Sequence, residues 1–202
     1  MSKTDLSKDY KESYTAKKEP ALVEVPVGKF LAIDGKDYPG ESEYQEAMGA
    51  LYGAAYTLKF HYKAQGDDFK VMPLEGLWWI KDGVFDMENP APHSDWRWTS
   101  LIRVPSFVEQ DAFDAVLPEL VEKKGEKVRE VRLITFDEGL SAQILHVGPY
   151  SEEAPTINKL HSWVNEQGYR LRDKHHEIYM GDPRRTAPEK LKTIIRHPVE
   201  KR

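Results

Sequence analysis

Lys174-His175-His176-Glu177-Ile178-Tyr179-Met180-Gly181-Asp182-Pro183-Arg184-Arg185 is a strand-like run with an acid inside it. A strand turns successive side chains to opposite faces, so Ile178 and Met180 share one face and Glu177 and Tyr179 the other. One face belongs to a core, and the other sets a carboxylate beside a phenol. Acids are seldom buried without a partner, so two readings stand for Glu177. It is either an ion-pair partner of Arg184, Arg185 or Lys192, or the acid of a binding cleft, and the rest of the chain bears on the choice.

Outward from this run the chain repeats a plan. In the first half, Ala21 to Val25 and Lys29 to Ile33 read as strands of a hairpin turning through Pro26 to Gly28. Turn residues fill Asp34 to Gly40. A helix from about Glu43 to Lys59, N-capped by Ser42, carries Met48, Leu51, Tyr52, Ala55 and Leu58 as one apolar stripe. Tyr52 and Tyr56 lie one turn apart on it. Phe69 to Ile80 is a strand whose alternation puts Glu75, Leu77 and Trp79 on one side, so an acid again sits near an aromatic. Trp96 to Val104 is a strand with Trp96, Trp98 and Ser100 on one face, and Gln110 to Lys124 an amphipathic helix with a bend at Pro118.

The second half begins with strands Val131 to Phe136 and Leu140 to Val147, flanking Asp137-Glu138-Gly139 as a hairpin connection. Gly148-Pro149-Tyr150 breaks the chain as Tyr38-Pro39-Gly40 does earlier. Pro155 opens a helix through about Gln167, with Ile157, Leu160, His161 and Val164 buried and Gly168 as the stop. The Glu177 strand, a helical turn near Pro188 and a last strand from Thr193 to Val199 complete the copy. The expected fold class is therefore α+β: a hairpin, a helix, a strand with an embedded acid and a final strand, occurring twice about a pseudo-twofold axis, with the antiparallel sheets around a central ligand cleft. The repeats span about residues 20–105 and 130–200, after a charged, solvated arm over residues 1–19. Glu75 and Glu177 are expected to meet in the cleft from the uncovered faces of two sheets.

Composition narrows the function classes. With 202 residues, 40% of them hydrophobic and 31% charged, the chain is globular. A net charge of -5 disfavours nucleic acid and anionic membrane as partners. There are no cysteines, which removes disulfides and thiolate chemistry. No window has the ~18 apolar residues of a membrane span, and the arm has no apolar leader, so a soluble cytoplasmic protein is expected. No GxGxxG, Walker loop or G-x-S-x-G elbow is present, and no cofactor is expected. His175 and His176, adjacent on a strand, cannot both ligate one metal, and no metal site is expected. The notable excess is aromatic: 5 Trp, 10 Tyr and 7 Phe.

Several runs taken together resemble the gyrase-inhibitor-like (GyrI-like) small-molecule-binding family. They are Pro73-Leu74-Glu75-Gly76-Leu77-Trp78-Trp79, His146-Val147-Gly148-Pro149-Tyr150, Leu160 with Trp163, Gly168-Tyr169, Glu177-Ile178-Tyr179, Asp182-Pro183-Arg184-Arg185 and Pro188-Glu189-Lys190-Leu191-Lys192-Thr193. The resemblance spans about residues 20 to 200. It implies paired strand-helix-strand-strand modules around a ligand cleft. It also implies either a stand-alone binder of lipophilic, often cationic aromatic compounds, or a hydrolase of cyclopropane-bearing or other electrophilic toxins. Glu177 matches the family's cleft acid, and Tyr179, Trp79, Trp98 and Tyr150 match its aromatic walls. Regulators of the family carry a helix-turn-helix domain, for which the arm before Ala21 is too short, so direct DNA binding is not expected. Gyrase as a protein partner is implied by the family name and by no residue here.

The chemistry follows from the residue types. A carboxylate among indole and phenol rings loses hydration, which raises its pKa unless a cation or donor compensates. It then attracts a flat organic cation, with cation–π contact adding ~0.5–2 kcal/mol per ring, or serves as a general acid or base. The candidate ligand-binding residues are Glu177, Tyr179, Glu75, Trp79, Trp98, Tyr56, Tyr150 and His146. In an enzyme, Glu177 and Tyr150 are the catalytic candidates. His146 is also read as a hydrogen-bonded structural histidine.

Overall fold

The computed structural model describes residues 3–36, 42–81 and 91–202. The turn expected at Asp37 to Gly40, and the start of the loop leading into Pro92, lie outside the described residues. Strands β1 (Ala21–Val25) and β2 (Gly28–Lys36) do not form a hairpin, nor do β5 (Arg132–Phe136) and β6 (Gly139–Val147). Instead β1 pairs antiparallel with β6, and β2 with β5. Two-residue hairpins need a positive φ in the loop. Proline fixes φ negative at Pro26 and Val27 has no positive φ, while Gly139 does take a φ of 63° but pairs with Val25 as the first residue of β6 instead of closing a turn onto β5. The chain therefore runs on where a reversal was expected.

Val25 lies opposite Gly139, and Gly28 opposite Phe136, so the register is the same on both sides of the break. The two long segments lie alongside each other from end to end, and each gives its first strand to the other half. The carbonyls exposed at the breaks still need donors. Arg103 supplies them to Pro26 and Val27, at 3.3 and 3.2 Å, and Arg172 donates to the carbonyl of Glu138.

The remaining strands are β3 (Leu74–Ile80), β4 (Trp96–Val104), β7 (Tyr169–Leu171), β8 (His175–Tyr179) and β9 (Lys192–Lys201). One sheet forms, in the order β1-β6-β9-β8-β3-β4-β2-β5, with the short β7 added to β9. The repeat is evident in that order, since β5-β2-β4-β3 mirrors β1-β6-β9-β8 about the β3–β8 pair. The expected two sheets are thus a single antiparallel sheet joined at that seam.

Among the described residues four α-helices accompany it. The short α1 (Leu6–Asp9) lies in the arm, and α2 (Ser42–Gln65), α3 (Gln110–Lys124) and α4 (Ala154–Glu166) carry the apolar faces. Ser42 is itself helical, and α2 runs six residues beyond the expected Lys59. Pro118 sits inside α3 without ending it. Leu51, Ala54, Ala55 and Leu58 of α2 and Phe113, Val116 and Leu120 of α3 pack with Leu31, Ile33, Trp98 and Ile102. Ile157, Leu160 and Val164 of α4 pack with Ala142, Ile144 and Ile195. At ~1.5–3 kcal/mol for each large aliphatic side chain buried, these two clusters hold both helical layers on one face of the sheet.

The opposite face encloses charge. Glu138 is buried between His176 Nδ1 at 2.8 Å and Arg196 Nη1 at 3.0 Å, and His176 Nε2 lies 3.1 Å from Glu75. The arm expected to be solvated closes this space. Tyr14, 3% exposed, donates to Glu75 at 2.6 Å, Arg196 donates to the carbonyl of Ser13, and Gln143 donates to the carbonyls of Glu12 and Thr15.

Burial opposes the charge on His176, but the Glu138 and Glu75 carboxylates outweigh it and raise its pKa to about 9. Burial likewise opposes ionisation of Glu138, but His176 and Arg196 outweigh it and bring the carboxyl down to about 2. By linkage, the stabilisation from Glu138 is complete above its ordinary 4.5 and fades as pH falls through about 2. That from His176 is complete below its ordinary 6.5 and fades as pH rises through about 9. Urea unfolding across pH should therefore show this network's contribution greatest between those two ordinary values. Glu138→Gln should cost ~3–5 kcal/mol, the scale for breaking a buried pair, and flatten the acid-side slope. An unchanged slope in the variant would place the acid sensitivity elsewhere.

Candidate functional site

Strand β8 lies between β3 and β9, with Gly76 opposite Glu177, Trp78 opposite His175, Ile195 opposite Glu177 and Thr193 opposite Tyr179. Cross-strand partners share a face. His175, Glu177 and Tyr179 therefore project to the helix-bearing face, at the seam between the layer of α2 and α3 and that of α4. The start of α2 brings Tyr44 to this seam, and the turn before α4 brings Tyr150 and Glu153.

Glu177 is 9% exposed and held from both sides. Tyr179 donates to its Oε2 at 2.7 Å, and His175 Nε2 lies 2.9 Å from its Oε1. The Trp78 indole donates to the Tyr179 hydroxyl at 3.0 Å, which fixes the phenol toward the carboxylate. Tyr44 stacks on Trp78 with ring centroids 6.3 Å apart and meets Trp98 edge-on at 5.0 Å. Tyr150, edge-on to Tyr179 at 5.5 Å, is 37% exposed and forms the outer rim.

The second acid of the site is Glu153. It precedes α4 and makes no side-chain cap bond to that helix; its carboxyl instead faces that of Glu177, and its Oε1 has no hydrogen-bond partner among the described residues. Burial, then the Glu177 charge, push the Glu153 carboxyl up to about 9. Burial also works against ionised Glu177, but its bonds to His175, Tyr179 and Glu153 hold its carboxyl below the ordinary value. Burial, then the charges of Glu153 and Glu177, raise the Tyr150 phenol to about 12. At neutral pH the site therefore contains one carboxylate, one carboxylic acid and protonated phenols. Two carboxyls pushed apart in this way can serve as a general base and a general acid.

The expected residues divide by face. Glu177, Tyr179 and Tyr150 come together. Glu75 does not meet Glu177, because the register sets Gly76 opposite it and a one-residue offset sends a side chain to the other face. Glu75 belongs to the enclosed polar network. Trp79 goes to that side as well, with the Lys174 ammonium 3.4 Å from its ring centroid, and Trp78 stands where Trp79 was expected. Trp98 is on the correct face but fully buried behind Tyr44, where Gly35 leaves room for its indole. Tyr56 is 48% exposed and stacks outward on Tyr52. His146 bonds Thr156 Oγ1 at 3.0 Å and approaches the carbonyl of Pro149 at 3.3 Å, so it braces the turn carrying Tyr150 and Glu153.

Sequence reasoning missed Glu153, Tyr44, Trp78 and the role of His175. An acid just ahead of Pro155 reads as a helix-start residue, and only the missing cap bond reveals a different use. His175 and His176 do point to opposite faces, as their adjacency requires.

The family described as "GyrI-like small molecule binding domain" matches residues 18–200. The crystal structure of an uncharacterized conserved protein from Listeria innocua is 39% identical, with 98% of this chain and 100% of that one covered and a TM-score of 0.90. Two structures of a hydrolase from Listeria innocua are each 38% identical over the same shares, with TM-scores of 0.85 and 0.88. No curated protein matches the sequence. Among the described residues no helix is long and apolar enough to cross a membrane.

A Cβ on Gly76 would lie 2.7 Å from Trp78 Nε1 and 3.1 Å from the Tyr179 hydroxyl, whereas one on Gly49 in α2 meets nothing within 4 Å. Gly76→Ala should destabilise by ~1–3 kcal/mol, as overpacking does. Gly49→Ala should stabilise by ~0.5–1 kcal/mol through helix propensity. Urea midpoints of the two variants check this, and equal shifts would contradict the close packing at Gly76.

Proposed function

Because the chain belongs to the GyrI-like small-molecule-binding family, we propose that it binds small lipophilic molecules at the Glu177 seam and hydrolyses those with an electrophilic, strained carbon. The observation that carries this reading is the carboxyl-to-carboxyl contact of Glu153 and Glu177 beneath an aromatic rim. The hydrolase among its Listeria innocua relatives supports the same class of chemistry.

In this reading Tyr150 and Tyr44 receive the apolar body of the substrate, and the Tyr150 hydroxyl, kept protonated, is a donor at the entrance. Glu177, aligned by His175 and Tyr179, is the general base. It takes a proton from water as the water oxygen bonds to the electrophilic carbon. For a cyclopropane-type substrate a ring C–C bond breaks, and its electron pair, left on the other carbon, takes the proton of Glu153. Glu177 then holds a proton and Glu153 the charge, and their contact passes the proton back. One water has been added across one C–C bond, with both acids restored.

A binder of lipophilic cations is the second reading, favoured by a carboxylate under aromatic rings. It ranks lower because donors already serve both Glu177 oxygens, which offsets much of the charge a cation would meet.

Incubation with strained-ring and other alkylating compounds, followed by mass spectrometry, should show products heavier by one water. Glu177→Gln and Glu153→Gln should each lower turnover ~10²-fold or more, the contribution of a general acid or base. Trp79→Phe, on the other face, should leave it within about twofold, the scale of a surface change without transition-state contact. If every compound returns unchanged while cationic dyes bind with an affinity that Glu177→Gln abolishes, the hydrolase reading fails and the cation reading takes its place.

A further inference from the structure

Behind Glu177, three imidazoles converge from three elements. His175 of β8, His197 of β9 and His161 of α4 each bring a ring nitrogen within 4.8 Å of the others. The His161 and His197 rings meet edge-on at 5.3 Å between centroids, and those of His175 and His197 at 6.0 Å. His161 Nε2 and His197 Nδ1 are buried and make no hydrogen bond among the described residues. Buried polar atoms are satisfied as a rule, and an orphaned one calls for an explanation. Nothing in the proposed chemistry uses His161 or His197.

We propose that His161, His175 and His197 form a three-histidine site for a divalent transition ion of the zinc class. Imidazole suits Zn²⁺, Co²⁺, Ni²⁺ and Cu²⁺ and is poorly matched to Mg²⁺ or Ca²⁺. Metal–nitrogen distances of ~2.0–2.1 Å in tetrahedral geometry set the nitrogens about 3.3 Å apart, so small ring rotations close the site. The scaffold suits this, since β8 and β9 are paired neighbours and α4 packs on β9.

The second observation is the use of the other His175 nitrogen. Its Nε2 lies 2.9 Å from Glu177 Oε1, so a bound ion takes Nδ1. A histidine that holds an ion through one nitrogen and a carboxylate through the other is the usual outer-shell arrangement of zinc sites. The ion would fix His175 in the tautomer that donates to Glu177 and clamp α4 to the strands beneath it. His175 is then a positioning residue for Glu177, and this site stands whether or not the hydrolase reading does.

Tag-free, chelator-stripped protein titrated with cobalt chloride tests the site. The wild type should develop the visible d–d bands of four-coordinate Co²⁺, saturating at one equivalent, and lose them on addition of zinc chloride. The melting temperature of the wild type should rise with Zn²⁺ by mass action, a readout independent of any variant. His161→Gln, on the half-buried helix position, should weaken Co²⁺ binding by at least tenfold. Glu177→Gln, which removes no ligand, should weaken it ~10–100-fold, the usual effect of an outer-shell partner. Loss of His61, elsewhere on the surface of α2, should leave it unchanged. The proposal is overturned if the wild type shows no bands and no Zn²⁺-dependent melting shift, or if a folded His161→Gln binds as the wild type does. The three rings are then a neutral packed cluster.

Discussion

Alternation along one five-residue strand divides this molecule into two compartments. In His175-His176-Glu177-Ile178-Tyr179 the odd-numbered side chains reach the helix-bearing face and the even-numbered ones the enclosed face. Because β8 has neighbours on both edges, neither set can be reached by slipping the strand: a shift of one residue would exchange a hydrogen-bonded Glu177 for Ile178 and an ion-paired His176 for His175 or Glu177. The pairing with β3 and β9 thus fixes the site and the charged interior at once.

The two compartments handle charge differently, and that difference separates structure from function. On the enclosed face Glu138 is opposed by His176 and Arg196, and Glu75 by His176 and the Tyr14 hydroxyl. Such an arrangement contributes definition more than net stability, since desolvation offsets much of the attraction. At the seam two carboxyls face each other, and burial with the Glu177 charge keeps the proton on Glu153. A carboxylic acid and a carboxylate held side by side at neutral pH add little to stability, and the proposed hydrolysis rests on that pair.

Much of this was legible in the residues. The duplication, the amphipathic α3 and α4, the β4 strand and the choice of Glu177 and Tyr179 as face-mates follow from period and turn chemistry, and the GyrI-like resemblance named the family that residues 18–200 match. What was not legible depends on partners distant in sequence. Pro26 and Asp137-Glu138-Gly139 looked like hairpin turns locally, yet each segment pairs with the other half of the chain. Alternation gives the two sides of a strand without saying which side faces which, so Glu75 reads as a cleft residue in sequence and is not one in the fold. The charges of the arm point to a solvated segment, while Tyr14 and the backbone of Ser13 serve a polar interior that no local pattern announces. His161 and His197 gave no signal, lying 36 residues apart in the chain.

The claim on which the rest turns is that Glu153 and Glu177 share one proton. Carbon-13 NMR of the side-chain carboxyls, titrated in wild type with Glu153→Gln for assignment, reads it directly. The Glu153 signal should remain that of the protonated acid at neutral pH and titrate only near about 9, with Glu177 ionised throughout. Titration of Glu153 close to its ordinary 4.5 would mean that the two acids stand apart, and the pairing at the seam would have no acid to offer.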